Sequence, residues 1–172
     1  MRIFLIGFMG AGKSYLGEMW GGDHAIPFFD LDKLIEEEER TTLENIFATN
    51  GEGYFREKEA AILRNTDRFE NCIISCGGGT PCYFDNMQWM NKNGVTVFLN
   101  QTENNIYAHL QNDKKVRPLI INQDEDKIKI FIKNKLAGRM SFYNESQIIL
   151  PSHQLNKDGF AVIEKYINKL SK

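Results

Sequence analysis

Ile3-Phe4-Leu5-Ile6-Gly7-Phe8-Met9-Gly10-Ala11-Gly12-Lys13-Ser14 decides how the rest of the chain is read. A short run of bulky apolar residues passes directly into G-x-x-x-x-G-K-S, the pattern of a phosphate-binding loop. A loop that wraps a polyphosphate must turn its backbone N–H groups inward, and glycines adopt that geometry without a Cβ clash. Lys13 then supplies a point charge for the outer phosphates, and Ser14 a hydroxyl for the metal ion that accompanies them. Leu16, Met19 and Trp20 follow at helical spacing, so a bound anion would also sit at a helix N-terminus, where free N–H groups and the dipole favour it. Strand, loop and helix come in the required order. A glycine-rich turn that binds nothing is the plainer alternative.

The chain around this stretch has 172 residues, enough for one substantial core, and nothing in it reads as a second domain. Charged residues are 26% and hydrophobic ones 42%, with a net charge of −2 and basic residues scattered along the chain. That balance gives no electrostatic reason to expect nucleic acid. The apolar start after Arg2 is cut short by Lys13, and no run approaches the length of a membrane span, so a cytoplasmic protein without a membrane partner is expected. Cys72, Cys76 and Cys82 match no zinc spacing and read as reduced core thiols. His24, His109 and His153 lie far apart and read as surface or packing residues.

Working outward, Gly21-Gly22-Asp23 should break the first helix, and Ile26-Pro27-Phe28-Phe29 reads as a second strand ending at Asp30-Leu31-Asp32. Carboxylates at the carboxyl end of a strand stand where open α/β sheets bind ligands. A helix is expected from Leu34, with Glu36 to Glu39 as a solvated face. Thr41 and Glu44 form a capping-box signature for a helix closed by Gly51, and a further helix runs from about Gly53 to Arg64. On it Arg56 and Glu59 lie three apart and can face one another, as an aligned pair or merely a surface one.

Cys72 to Cys76 is an apolar strand ending in Gly77-Gly78-Gly79; three glycines there imply either close approach by something else or a hinge. A helix over Asp85 to Asn93, a strand over Val95 to Leu99 and a helix from Thr102 follow. Asn112 to Pro118 is a polar, basic loop, either a lid or a solvated connection. A long amphipathic segment from Asp124 to about Asn144, a short strand Ile148-Ile149-Leu150 and a closing helix from Gly159 to Leu170 complete the chain. Strands alternating with helices argue a parallel α/β sheet covered on both faces.

With the loop, Asp30-x-Asp32, Phe55-Arg56, Gly77-Gly78-Gly79, Arg117-Pro118 and Arg139 in this order, the chain resembles the shikimate kinase family over nearly its full length. The resemblance implies a three-layer α/β/α fold of the P-loop, nucleoside-monophosphate-kinase-like kind with a five-stranded parallel sheet. It implies one domain over residues 1–172, a substrate-binding helical segment at about 31–64 and a lid at about 111–123. The implied activity is transfer of the γ-phosphoryl group of ATP, with Mg²⁺, to the 3-hydroxyl of shikimate by a monomer. Carried over by residue, Gly10, Ala11, Gly12, Lys13, Ser14 and Tyr15 would bracket the ATP phosphates. Ser14 would ligate Mg²⁺, helped by Asp30, and Asp32 would hold the acceptor hydroxyls and take the departing proton. Arg56 and Arg139 would hold the acceptor carboxylate, Glu59 would orient Arg56, Gly77 to Gly79 would approach the ring, and Arg117 would close over the nucleotide.

Some positions depart from the family pattern. Tyr15 replaces a small residue, Gly21-Gly22 replaces good helix formers, Leu110 stands where an arginine often stacks near adenine, and Arg139-Met140-Ser141 lacks a proline. These leave two neighbouring readings open: a kinase of the same fold acting on gluconate or a nucleoside monophosphate, and an ATP-binding module with little turnover. A GTPase is disfavoured because Asn91-Lys92-Asn93-Gly94 and Asn156-Lys157-Asp158-Gly159 both lack the aspartate that reads guanine.

Overall fold

The computed structural model describes residues 1–112 and 124–170. Strands β1 (Arg2–Ile6), β2 (Phe28–Asp30), β3 (Cys72–Ser75), β4 (Val95–Asn100) and β5 (Ile148–Pro151) form one parallel sheet in the order β2-β3-β1-β4-β5. Alternate side chains of β1 enter different cores. Phe4 and Ile6 pack with Ile74 and Phe98 on one face, and Ile3 and Leu5 with Val97 and Leu99 on the other. The second face is covered by α1 (Lys13–His24) and α8 (Phe160–Leu170), which bring Trp20 and Phe160. The first lies beneath α2 (Leu31–Glu39), α3 (Leu43–Asn65), α4 (Asn86–Asn93), α5 (Glu103–Asn112) and α6 (Glu125–Ala137), with the short α7 (Met140–Tyr143) contributing Tyr143. Burial on both faces accounts for strands that read as unbroken apolar runs.

The register sets Asp30 beside Ser75 and Ser75 beside Leu5. The carboxyl ends of β2, β3 and β1 are therefore level, and the residues that follow each strand emerge together.

Four local expectations are corrected. First, α1 does not end at Gly21-Gly22 but continues to His24. Gly21 is needed there for space: a Cβ would lie 2.7 Å from the Ile26 carbonyl oxygen, whereas Gly22 has nothing within 4 Å. Second, α2 begins at Leu31 rather than Leu34, because Asp30 caps it by accepting from the Asp32 N–H at 3.0 Å. Third, Thr42 and not Thr41 caps α3, accepting from the Asn45 N–H at 3.3 Å, while Thr41 accepts from the Asn45 side chain. Gly51, at φ 80°, kinks α3 where a helix end was expected. Fourth, the segment from Asp124 to Asn144 is two helices. Asp124 caps α6, Gly138 closes it, and a new turn starts at Arg139, whose carbonyl accepts from Phe142 and Tyr143.

Cys72 and Cys76 are buried, Cys82 is partly buried, and all three thiols are free. Burial pushes the Cys76 thiol far above its ordinary pKa, so it is no nucleophile at neutral pH. Among the described residues no helix is long and apolar enough to cross a membrane. The lid expected at about 111–123, and Arg117 in it, lie outside the described residues apart from Gln111 and Asn112, which end α5.

Candidate active site

The loop after β1 adopts backbone conformations that call for glycine: Gly7, Gly10 and Gly12 have φ of 145°, 76° and 92°. α1 starts at Lys13 without a side-chain cap and without an acidic residue in its first turn. Its leading N–H groups and the positive end of its dipole are thus available to an anion. Lys13 Nζ donates to the carbonyls of Gly7 and Phe8 at 2.9 and 3.0 Å, which keeps its charge at the loop. Ala11 is buried beneath, and Tyr15, which stands where the family has a small residue, is 71% exposed.

Ser14 Oγ donates to Asp30 Oδ2 at 2.6 Å, and the other Asp30 oxygen caps α2. This divides the labour in Asp30-x-Asp32: Asp30 is tied to the loop serine, and Asp32 projects from the first turn of α2. Ser14 and Asp30 together present hard oxygens. That donor set suits Mg²⁺, which takes one or two protein oxygens and completes its shell with phosphate and water.

Across from the loop, each glycine of Gly77-Gly78-Gly79 is backed by an ionic side chain. A Cβ on Gly77 would lie 2.8 Å from Glu59 Oε1 and 3.3 Å from Asp32 Oδ1. On Gly78 it would lie 3.3 Å from Arg139 Nη1, and on Gly79 2.8 Å from Arg56 Nη2. The three glycines are thus a site of close approach and not a hinge. They bring Asp32, Arg56, Glu59 and Arg139, from three separate segments, to one place.

Arg56 and Glu59 form no loose surface pair. Arg56 Nη1 donates to Glu59 Oε2 at 2.8 Å, Glu59 is fully buried, and Thr80 Oγ1 donates to its other oxygen at 2.5 Å. Burial disfavours the Arg56 charge, but the Glu59 carboxylate and its hydrogen bond more than offset this and raise the arginine's pKa. Removing one member of such a pair typically costs about 3–5 kcal/mol. The rings of Tyr83 and Phe55 lie 4.2 and 4.9 Å from the guanidinium carbon. Arg139 lies over Phe8 at 5.6 Å, and Tyr143 Oη donates to the Gly78 carbonyl at 2.6 Å. Burial raises the Tyr143 pKa, so the phenol remains a donor.

Several residues here escaped the sequence. His109 Nδ1 sits 2.7 Å from the Gly10 carbonyl oxygen, tying α5 to the phosphate loop. Leu110 is buried, and its side chain comes within 3.2 Å of a Cβ placed on Gly10, so it packs under the loop. Thr80 and Tyr83, which follow β3, and Glu52, four residues before Arg56 on α3, join the Arg56 cluster. Thr80 carried a signal by directly following the glycines, and Glu52 by standing four residues before Arg56 on the same helix.

A phosphate-wrapping loop on the middle strand of such a sheet, with carboxylate and guanidinium groups on the adjoining helices, marks the P-loop kinases of small molecules. Within that class, the family model for shikimate kinase matches residues 9–171. A shikimate kinase from Bacteroides fragilis is 39% identical over 172 residues, covering 100% of this chain and 95% of the relative. The crystal structure of shikimate kinase from Bacteroides thetaiotaomicron superposes with a TM-score of 0.89 at 37% identity, covering 100% of this chain and 99% of that one. Shikimate kinase from Acinetobacter baumannii, solved in complex with shikimate, superposes at 0.82 with 25% identity, covering 99% and 93%. The chain belongs to the shikimate kinase family.

Proposed function

We propose that this enzyme, which phosphorylates shikimate with ATP as donor, does so on the 3-hydroxyl held against Gly77-Gly78-Gly79. The observation that carries the assignment of residues is that this one loop is the shared neighbour of Asp32, Arg56 and Arg139. A carboxylate-bearing polyol needs such a set: two planar guanidinium forks for the acid, and a carboxylate for the hydroxyls.

Phosphoryl transfer gives a protein little covalent work, so positioning and charge stabilisation dominate. The backbone of Gly10 to Ser14 and Lys13 hold the phosphates, and Lys13 meets the charge that develops on the migrating group. Asp32 orients the attacking hydroxyl and accepts its proton, for which its place beside Gly77 suits it. Ser14 and Asp30 would hold Mg²⁺, which when bound neutralises phosphate charge. Glu59 and Thr80 fix Arg56 at the correct angle, and Tyr143 holds the Gly78 backbone. Arg117 would add positive charge over the nucleotide. Residues at about 31–64 serve as the acceptor-binding segment of a single kinase domain, and the enzyme works as a cytoplasmic monomer.

Measuring ADP release with shikimate, gluconate and AMP as acceptors tests this reading. Shikimate alone should stimulate release; stimulation by AMP or gluconate alone would overturn it.

A further inference from the structure

The guanidinium of Arg56 is gripped on two sides by carboxylates that differ in kind. Glu59, fully buried and bonded to Thr80, takes Nη1. Glu52 takes the other edge: its Oε1 accepts from Nε at 3.2 Å, from Nη2 at 3.1 Å and from the Tyr83 hydroxyl at 2.8 Å. The Nε/Nη2 edge is a fork with which arginine grips a planar carboxylate through two parallel hydrogen bonds. Two carboxylates thus share the Arg56 guanidinium, while Arg139 at Gly78 and the charge of Lys135 add positive charge nearby. An incoming carboxylate can take the Nε/Nη2 edge only where Glu52 leaves it.

Glu52 is the one able to withdraw. Its side chain is 57% exposed, against 0% for Glu59. It also follows Gly51, whose φ of 80° breaks the helical path just before it. Hydrogen bonds from Tyr83 and Arg56 hold its carboxyl below the ordinary range, so it is charged at neutral pH.

We propose that Glu52 competes with the carboxylate of the acceptor for the Nε/Nη2 edge of Arg56, and thereby sets the affinity for acidic acceptors. Glu59 orients the arginine; Glu52 occupies the edge that the acceptor takes, and swings to solvent when the acceptor binds. The inference rests on the assignment of Arg56 to the acceptor carboxylate made above.

The test is Glu52→Gln, which keeps size and polarity but removes the competing charge. The KM and the calorimetric Kd for shikimate should fall about two- to fivefold, the scale of a half-exposed ion pair. The KM for ATP should not move. Shikimate methyl ester, which lacks the charge, should bind the variant no better than the parent. Tyr83→Phe, which frees Glu52 from one anchor, should shift shikimate affinity in the same direction by less. An unchanged or raised KM for shikimate in Glu52→Gln would show that Glu52 buttresses Arg56, and would overturn the competition. Equal gains for acid and ester would overturn it too. Arg56→Ala separates the two layers: weakened shikimate binding there, without a gain in Glu52→Gln, sinks the competition alone. No weakening sinks the assignment of Arg56 beneath it.

Discussion

On the proposed assignment, Lys13 and Asp32 divide the chemistry at the level of single side chains. The ammonium of Lys13 is held at the loop by the Gly7 and Phe8 carbonyls, so its charge is in place where the phosphates would lie. Lys13→Met should lower kcat by about 10²–10³ or more, the loss seen when a preorganised charge partner is removed. Asp32→Asn keeps the shape but cannot accept a proton, and should lower kcat by about 10²–10⁴ while ATP binding by calorimetry stays near that of the parent. Full turnover in Asp32→Asn would refute the proton-accepting role. The positions of Lys13 and Ser14 at the start of α1 were legible in the sequence because the spacing of G-x-x-x-x-G-K-S follows from the geometry of a loop around a phosphate, and that of Asp30 because it closes the apolar run of β2. His109 and Glu52 were not. His109 acts across 99 residues to Gly10, a distance only the folded chain sets, and Glu52, although four residues before Arg56, is anchored by Tyr83, 31 residues on.

At the level of elements, packing overrode local propensity. Two adjacent glycines predict a broken helix, yet α1 passes through both, because Gly21 admits the chain entering β2. The pair can be told apart by mutation. Gly22→Ala, with open space around it, should stabilise the protein by about 0.5–1 kcal/mol through helix propensity alone. Gly21→Ala should destabilise it by about 1–3 kcal/mol, since its methyl meets backbone oxygen that cannot readily move. Urea unfolding of the two variants checks the opposite signs.

The join between α2 and α3 offers a pH test. Glu39 accepts from Lys58 and from the Tyr54 hydroxyl, and these bonds, that of Lys58 first, lower its pKa below the ordinary 4.5. A depressed carboxylate contributes stability above its unfolded pKa, and that contribution is lost as pH falls through the folded value. Unfolding free energy measured from pH 6 downward should therefore decline in part through Glu39, and Glu39→Gln should flatten that decline. An unchanged acid limb would mean that the cluster contributes nothing. The capping residues were misread here by a single position because Thr41 and Thr42 present the same side chain, and the sequence does not say which one turns the chain.

For the molecule as a whole, resemblance to a family gave a sheet of five parallel strands but the strand order came only from the fold, since alternation of strands and helices fixes a parallel sheet but not which strand lies in the middle. The order matters: β1 at the centre holds the phosphate loop, while β2 at the edge holds Asp30 and leads through α2 into α3, which carries both Arg56 and Glu59. On the proposed assignment, donor and acceptor are bound by different parts of the chain that meet at Gly77-Gly78-Gly79. Two ligands bound by separate groups should stabilise the fold separately. At a hundredfold excess over its Kd each ligand adds about 2.7 kcal/mol, or about 5–10 °C in Tm for a protein of this size. Arg56→Ala should lose the shift caused by shikimate and keep that caused by ADP with Mg²⁺. Lys13→Met should do the reverse, keeping the shikimate shift and losing most of the nucleotide's. Thermal unfolding of parent and both variants with each ligand decides the matter. If either variant lost both shifts, its side chain would be supporting the architecture shared by the two sites, and the division between donor and acceptor groups drawn from the sheet order would fail.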